Sequence, residues 1–214
     1  MYTINGKVMI DLEPYLNIDA IDETLLQTTL GVYSRKIEVC YAQELTVLPP
    51  YKETDTLGNM LVLTTIDKYA NKHLKSKVSR RQLTDDFQFI FDWIDAQDCF
   101  QEYGRVMFFF SEPNSAGKIH RDYPEHAIHS PSDMFLWISG PVEKRIFVYD
   151  KDTGEKVYSP SRAVIFDNCN FHGTENLNDS TAWSLRVDGI FKKEWAEKVG
   201  IYDHFQSVID QTGS

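Results

Sequence analysis

The sequence predicts a mainly β fold with flanking helices, an antiparallel sandwich or barrel, on three observations. From Gly104 onward the chain turns to short β-rich stretches at regular spacing. Turn-forming residues split those stretches. Helical periodicity is concentrated in the first hundred residues, ahead of the β-rich region rather than between its strands.

Taken in order, Ile21, Leu25, Leu26, Leu30 and Tyr33 recur at helical spacing and predict an amphipathic helix between Asp22 and Arg35. Pro49 and Pro50 break whatever precedes them. The basic run Lys72 to Arg81 reads as a solvated segment. A second helix is expected after Thr84, a suitable N-cap, with Asp85 and Asp86 in its first turn. Its apolar stripe is Phe87, Ile90, Phe91 and Ile94, which would pack on the outside of a sheet. Strands are expected at Arg105 to Phe110, Met134 to Ile138, Arg145 to Tyr149, Arg162 to Phe166 and Trp183 to Phe191. Asp152-Thr153-Gly154 marks a hairpin turn, while Asn114 to Gly117 and Asn176 to Ser180 mark loops.

With 214 residues, 42% of them hydrophobic, the chain can bury a sizeable core and reads as one domain over 1–214. Residues 1–102 would supply helices and supporting strands, 103–191 the β core, and 192–214 a C-terminal helical segment. A formal net charge of -10 opposes phosphate backbones and anionic membranes, so neither nucleic acid nor membrane is expected as a partner. Apolar runs such as Val106 to Phe110 fall far short of the roughly 20 residues needed to span a bilayer. Cys40, Cys99 and Cys169 form an odd, widely spaced set, and the start MYTINGKVMIDLEPY has no signal-peptide core. A reducing cytoplasmic location is the expectation; no oligomeric state is implied.

The segment Gly117-Lys118-Ile119-His120-Arg121-Asp122 sets a histidine and an aspartate two residues apart, so an extended backbone would send both side chains from one face. A lone HxD is a weak signal. It gains weight from the apolar run Val164-Ile165-Phe166 followed by Asp167-Asn168-Cys169-Asn170-Phe171-His172-Gly173, in which a strand ends in a turn that delivers a second histidine. Fifty residues separate Asp122 from His172, enough for several strands to run out and return. Two imidazoles and one carboxylate on one side of a metal leave the other side open, the arrangement that suits ferrous iron meeting a co-substrate and dioxygen. Four protein ligands would suggest a closed structural site instead.

Further on, Ser184, Arg186 and Asp188 share one face of a predicted strand, and Leu185 and Val187 the other. A polar face among apolar strands suggests a lined cavity. The planar fork of Arg186 is suited to clamp a carboxylate. Tyr103, Arg105, Phe108 and Phe110 either wall that cavity or belong to the core, the more common fate of such an aromatic stripe. Trp137 and Trp183 read as core in the same way. His126 and His129 lie in the loop Tyr123 to Asp133, a natural lid or specificity element beside the HxD pair. Cys169 is three residues from His172, but no orienting partner identifies a Cys/His nucleophile.

HxD, about fifty residues, His, then Arg on the following strand resembles the 2-oxoglutarate and Fe(II)-dependent oxygenase superfamily. FDNCNFHGTEN followed by SLRVDGIF is similar to the distal-histidine region of its prolyl and aspartyl/asparaginyl hydroxylase-like members. The likeness covers Tyr103 to Phe191. It implies a double-stranded β-helix, or jelly roll, with His120, Asp122 and His172 holding Fe(II) and Arg186 pairing with the distal carboxylate of 2-oxoglutarate. It also implies that 2-oxoglutarate and dioxygen are consumed to hydroxylate a C–H bond of an amino acid, peptide side chain or small metabolite. One departure is that many members place Ser where Asp188 stands, and an acid there could neutralise Arg186. A competing resemblance is to cupin-type metalloproteins, which share the barrel without 2-oxoglutarate. His172-Gly173-Thr174-Glu175-Asn176 fits their second motif loosely, but their first motif wants HxH with a later Glu. A non-catalytic β-sandwich binding module is the third alternative.

Overall fold

The computed structural model of the chain describes residues 8–30, 60–66, 78–80, 82–122, 135–140 and 144–201. Strands dominate them: β1 (Met9–Asp11), β2 (Met60–Val62), β3 (Thr64–Ile66), β4 (Val78–Arg80), β5 (Phe100–Ser111), β6 (Ser115–Ala116), β7 (Phe135–Ser139), β8 (Lys144–Tyr149), β9 (Lys156–Tyr158), β10 (Ala163–Phe166), β11 (Phe171–Asn176) and β12 (Ala182–Phe191). The helices are α1 (23–30), α2 (Gln88–Gln97) and α3 (Lys193–Val199).

All pairings are antiparallel. The larger sheet has the order β1-β10-β7-β12-β5-β2, the smaller β6-β11-β8-β9, and β3 pairs with β4 alone. From β5 to β12 the chain changes sheet at every connection except the β8–β9 hairpin. The inner orders β5-β12-β7-β10 and β6-β11-β8-β9 are those of a double-stranded β-helix, the jelly roll expected above. β1 and β2, from the first hundred residues, extend its larger sheet at either edge.

Alternation along the strands divides the apolar residues into two cores. Between the sheets lie Met9, Phe135, Trp137, Ile146, Val148, Val164 and Phe166. The outer face of the larger sheet carries Val106, Phe108, Leu136, Ile138, Ile165, Trp183, Leu185 and Val187, covered by Ile90, Phe91, Trp93 and Ile94 of α2 and by residues of α1 and α3. At the hairpin, Gly154 adopts φ 76°, a left-handed conformation that costs glycine nothing, and its N–H donates to the Asp150 carbonyl at 2.8 Å.

Several boundaries differ from the sequence reading. In α1, Leu26 and Leu30 are buried four residues apart, but Leu25 is 43% exposed, because consecutive helical residues point about 100° apart. Asp22 Oδ1 accepts the Leu25 N–H at 2.8 Å and caps this helix. Thr84 is not the cap of α2: residues Gln82–Phe87 form a 3-10 turn, and the α-helix begins at Gln88. What fixes the start is packing, since the buried Phe87 ring meets Phe108 at 5.8 Å. Part of the expected loop Asn114 to Gly117 is strand β6, and the turn expected to deliver His172 gives way to β11 one residue earlier. Tyr33, Pro49, Pro50, most of the basic run, His73 and the segment after 201 lie outside the described residues. No described helix is long and apolar enough to cross a membrane.

A bulge shapes β5. Val187 pairs with Val106 but Gly189 with Tyr103, so Gly104 and Arg105 together oppose Asp188. The extra residue breaks the alternation: Arg105 faces Asp188 between the sheets, while Tyr103 joins the outer core. A Cβ on Gly189 would stand 2.8 Å from the Glu102 carbonyl and 2.9 Å from Tyr103 Cα. Gly189→Ala is therefore expected to destabilise the fold by roughly 1–3 kcal/mol, read as a lowered midpoint in chemical denaturation with an unchanged slope.

Candidate metal centre

Backbone hydrogen bonds bring together segments fifty residues apart. His120 N–H donates to the His172 carbonyl at 2.9 Å and His172 N–H to the His120 carbonyl at 2.7 Å, which extends the β6–β11 ladder toward one mouth of the barrel. Asp122 N–H donates to the Asn168 carbonyl at 3.1 Å, in the turn between β10 and β11. That turn is set by Asp167, whose Oδ1 accepts the Cys169 N–H at 3.0 Å.

These pairings place Nε2 of His120 3.6 Å and Nε2 of His172 3.9 Å from Oδ1 of Asp122. One ligand atom from each of the three lies within 4.8 Å of the others. Each imidazole is oriented from behind, because Nδ1 of His120 donates to the Lys118 carbonyl and Nδ1 of His172 to the Asn170 carbonyl, both at 2.9 Å. A carbonyl only accepts, so Nδ1 carries the proton and the Nε2 lone pair is left for a metal. Burial pushes the His172 pKa down to about 4, with the Asp122 carboxylate opposing and His120 adding, so this ring is neutral at physiological pH. Asp122 presents Oδ1 to the histidines, while its Oδ2 accepts Nη1 of Arg186 at 3.2 Å and Nδ2 of Asn168 at 3.3 Å. The His172 side chain is 6% exposed and that of His120 54%, so the cluster is walled on the β11 side and open on the other. Two imidazole nitrogens and one oriented carboxylate oxygen fit a divalent first-row metal and leave coordination positions free.

Arg186 is fully buried and held on two sides. Its Nε and Nη2 donate to Asp188 Oδ1 at 3.0 and 2.9 Å, Nη1 donates to Asp122, and Cζ lies 3.7 Å from the centre of the Phe135 ring. Burial disfavours its charge, but the Asp188 and Asp122 carboxylates more than offset this and raise its pKa. Asp188 also accepts Nε of Arg105 at 2.6 Å. The sequence residues His120, Asp122, His172 and Arg186 thus converge, with the guanidinium against the Asp122 carboxylate rather than apart from it. The pairing of Arg186 with Asp188, raised by the sequence as a competing role, is present. Phe108 belongs to the outer core and Phe110 packs against it, as does Trp183. Trp137 lies between the sheets. The loop Tyr123 to Asp133, with His126 and His129, lies outside the described residues.

Two buried polar residues escaped the sequence reading. Asn168 holds the second oxygen of Asp122. Lys144 stands between the sheets: the face Lys144, Ile146, Val148 of β8 is otherwise apolar, and that alternation was the available signal. Its Nζ donates to Ser184 Oγ at 3.0 Å and to the Phe109 carbonyl at 3.4 Å. A separate cavity of about 250 Å³, lined by Ser139, Lys144 and Arg162 among others, opens at the opposite end of the barrel from the triad.

No protein-family model matches the chain, and no curated protein is similar to it in sequence. Among solved structures, it is similar to a 2OG-Fe(II) oxygenase family oxidoreductase from Burkholderia pseudomallei, with 12% identity and TM-score 0.42 over 71% of this chain and 76% of that one. It is similar to the viral collagen prolyl hydroxylase of Paramecium Bursaria Chlorella virus-1 in its 2OG complex, with 11% identity and TM-score 0.42 over 87% and 97%. A Cupin 2 conserved barrel domain protein from Salinispora arenicola matches with 14% identity and TM-score 0.28 over 44% and 68%. The chain spans 58% of the length of Drosophila melanogaster CENP-C in its complex with CAL1, with 11% identity and TM-score 0.29. At these identities and scores, the functional reading rests on the geometry of the site.

Burial lowers the Lys144 pKa from 10.5 to about 7. Between those values the unfolded chain binds more protons at this residue than the folded one, so its contribution makes stability rise with pH across that window. Comparing denaturation midpoints at about pH 7 and about pH 9.5 is expected to give a larger gain for the wild type than for Lys144→Met.

Proposed function

We propose that this chain is an Fe(II)- and 2-oxoglutarate-dependent oxygenase that hydroxylates a C–H bond of an amino acid, a peptide side chain or a small metabolite. The observation that carries the reading is the His120–Asp122–His172 cluster, with both Nε2 atoms and one carboxylate oxygen turned toward a common point and every opposing atom tied to the protein. When bound, ferrous iron supplies the oxidation of a keto acid by dioxygen and the oxidising equivalent used on substrate.

The protein's own share is orientation and exclusion. His120 and His172 would hold the metal through Nε2 and Asp122 through Oδ1, while Arg186 and Asn168 keep Oδ2 from turning inward. Phe135 and Phe166 wall the buried side, with Phe166 edge-on to the His172 ring at 5.0 Å, and so keep bulk water from the reacting groups. The exposed flank of His120 is the side from which a substrate would approach. A cupin-type metalloprotein that does without 2-oxoglutarate is the second reading. What favours it is Arg186, whose donors already serve Asp188 and Asp122.

Anaerobic titration with Fe(II) and then 2-oxoglutarate separates the two. The oxygenase reading expects the weak visible charge-transfer band of the chelate, absent in His172→Ala and Asp122→Ala; metal binding with no band on adding the keto acid leaves the cupin reading. Asn168→Ala, which frees one side of Oδ2, is expected to weaken Fe(II) binding by about 10–100-fold in the same titration.

A further inference from the structure

Arg105 is a buried cation with most of its hydrogen-bonding capacity unspent. Only 9% of the residue is exposed. Its Nε donates to Asp188 Oδ2 at 2.6 Å, the one hydrogen bond its side chain makes among the described residues. The N–H groups of Nη1 and Nη2 therefore have no partner there. Neither nitrogen is sealed off, since the side chain keeps 11% exposure. Asp188 does not require them, because its other oxygen takes two bonds from Arg186. Donors left idle in a nearly dry place cost stability, and a lysine would balance the charge of Asp188 without them.

The bulge in β5 turns Arg105 inward at the end of the barrel where the triad lies. Along β12 the inward residues run from Ser184, beside Lys144 at the far end, through Arg186, which reaches Asp122, to Asp188. Arg105 opposes Asp188, so it stands one inward step nearer the mouth than Arg186. β5 and the β6 segment that leads to His120 hold corresponding outer places in the inner orders β5-β12-β7-β10 and β6-β11-β8-β9. Arg105 and the exposed flank of His120 thus border the same side of the mouth. The unspent Nη1/Nη2 edge offers two parallel N–H groups, which a carboxylate accepts with both oxygens. Because Arg105 already shares its charge with Asp188, it suits a monoanion better than a phosphate dianion.

We infer that Arg105 is a specificity-determining residue whose Nη1/Nη2 edge holds the carboxylate of the primary substrate, which is a small carboxylic acid, free amino acids included. This rests on the oxygenase reading above for the placement of the reacting C–H bond at the His120–Asp122–His172 centre. It concerns the molecule that is oxidised, not the keto acid consumed with it.

The probes are the common free α-amino acids and short-chain alkanoates, each beside its own carboxamide. They are titrated calorimetrically and anaerobically into protein loaded with Fe(II) and 2-oxoglutarate, so that binding is read without turnover. The wild type is expected to bind at least one acid on the order of 10–100-fold more tightly than its carboxamide. Arg105→Lys keeps the ion pair with Asp188 but has no second edge. It is expected to melt near the wild-type temperature, to form the same charge-transfer band with Fe(II) and 2-oxoglutarate, and to bind acid and carboxamide nearly alike. If it fails to fold, Arg105→Gln, whose amide still donates to Asp188, takes its place with the same expectation. A wild type that prefers no acid over its carboxamide, or a preference that survives in Arg105→Lys, overturns the inference. The band reports separately on the oxygenase reading: a missing band with an acid preference that Arg105→Lys removes refutes that reading and keeps the carboxylate site.

Discussion

Between the two sheets runs a line of alternating charge, Arg105–Asp188–Arg186–Asp122, on which the geometry of the site depends. Three of its members are almost fully removed from solvent, and Asp122 reaches the mouth of the barrel. Each carboxylate has at least one guanidinium and each guanidinium at least one carboxylate, so two charges of each sign share one low-dielectric space. Removing any one would leave an uncompensated buried ion, which is far more costly than the net worth of any pair. The line ends at Asp122 Oδ2, and Oδ1 of the same carboxylate faces the histidines. The buried electrostatics of the barrel thereby set the angle at which that oxygen is presented.

The backbone supplies the other half of that precision. His120 and His172 are a directly opposed pair on neighbouring extended segments, so two main-chain hydrogen bonds fix the distance between their Cα atoms before any side chain is considered. Each ring is then turned by a bond from Nδ1 to a carbonyl two residues earlier in its own segment. The jelly-roll topology makes this pairing possible, because changing sheet at nearly every connection brings the end of the β6 segment and the start of β11 together at one mouth.

A polar axis inside an aromatic barrel is a departure from what stability alone would select. Arg105, Arg186, Asp188, Ser184 and Lys144 occupy inward positions that Leu or Val would fill at lower cost. The four-member line is internally neutral, and Lys144, whose pKa burial lowers to about 7, lies in the same interior.

Much of the fold was legible in the chain itself. Strands β5, β7, β8, β10 and β12 follow from short β-rich stretches split by turn residues, and the stripe of α2 follows from the 3.6-residue period. The four residues His120, Asp122, His172 and Arg186 were identifiable by order and spacing because strand lengths and turns confine where such groups can meet. The rest depended on contacts between distant segments. No local pattern marks a two-residue strand such as β6, the bulge at Gly104–Arg105 that sends Tyr103 and Arg105 to different cores, or Phe87 taking over from Thr84 the start of α2. Nor could the sequence decide which carboxylate Arg186 serves. Residue types and their spacing picked out the residues that meet at the mouth of the barrel; the register of strands far apart in the chain decided which charge faces which, because electrostatic partnership is a matter of distance in space.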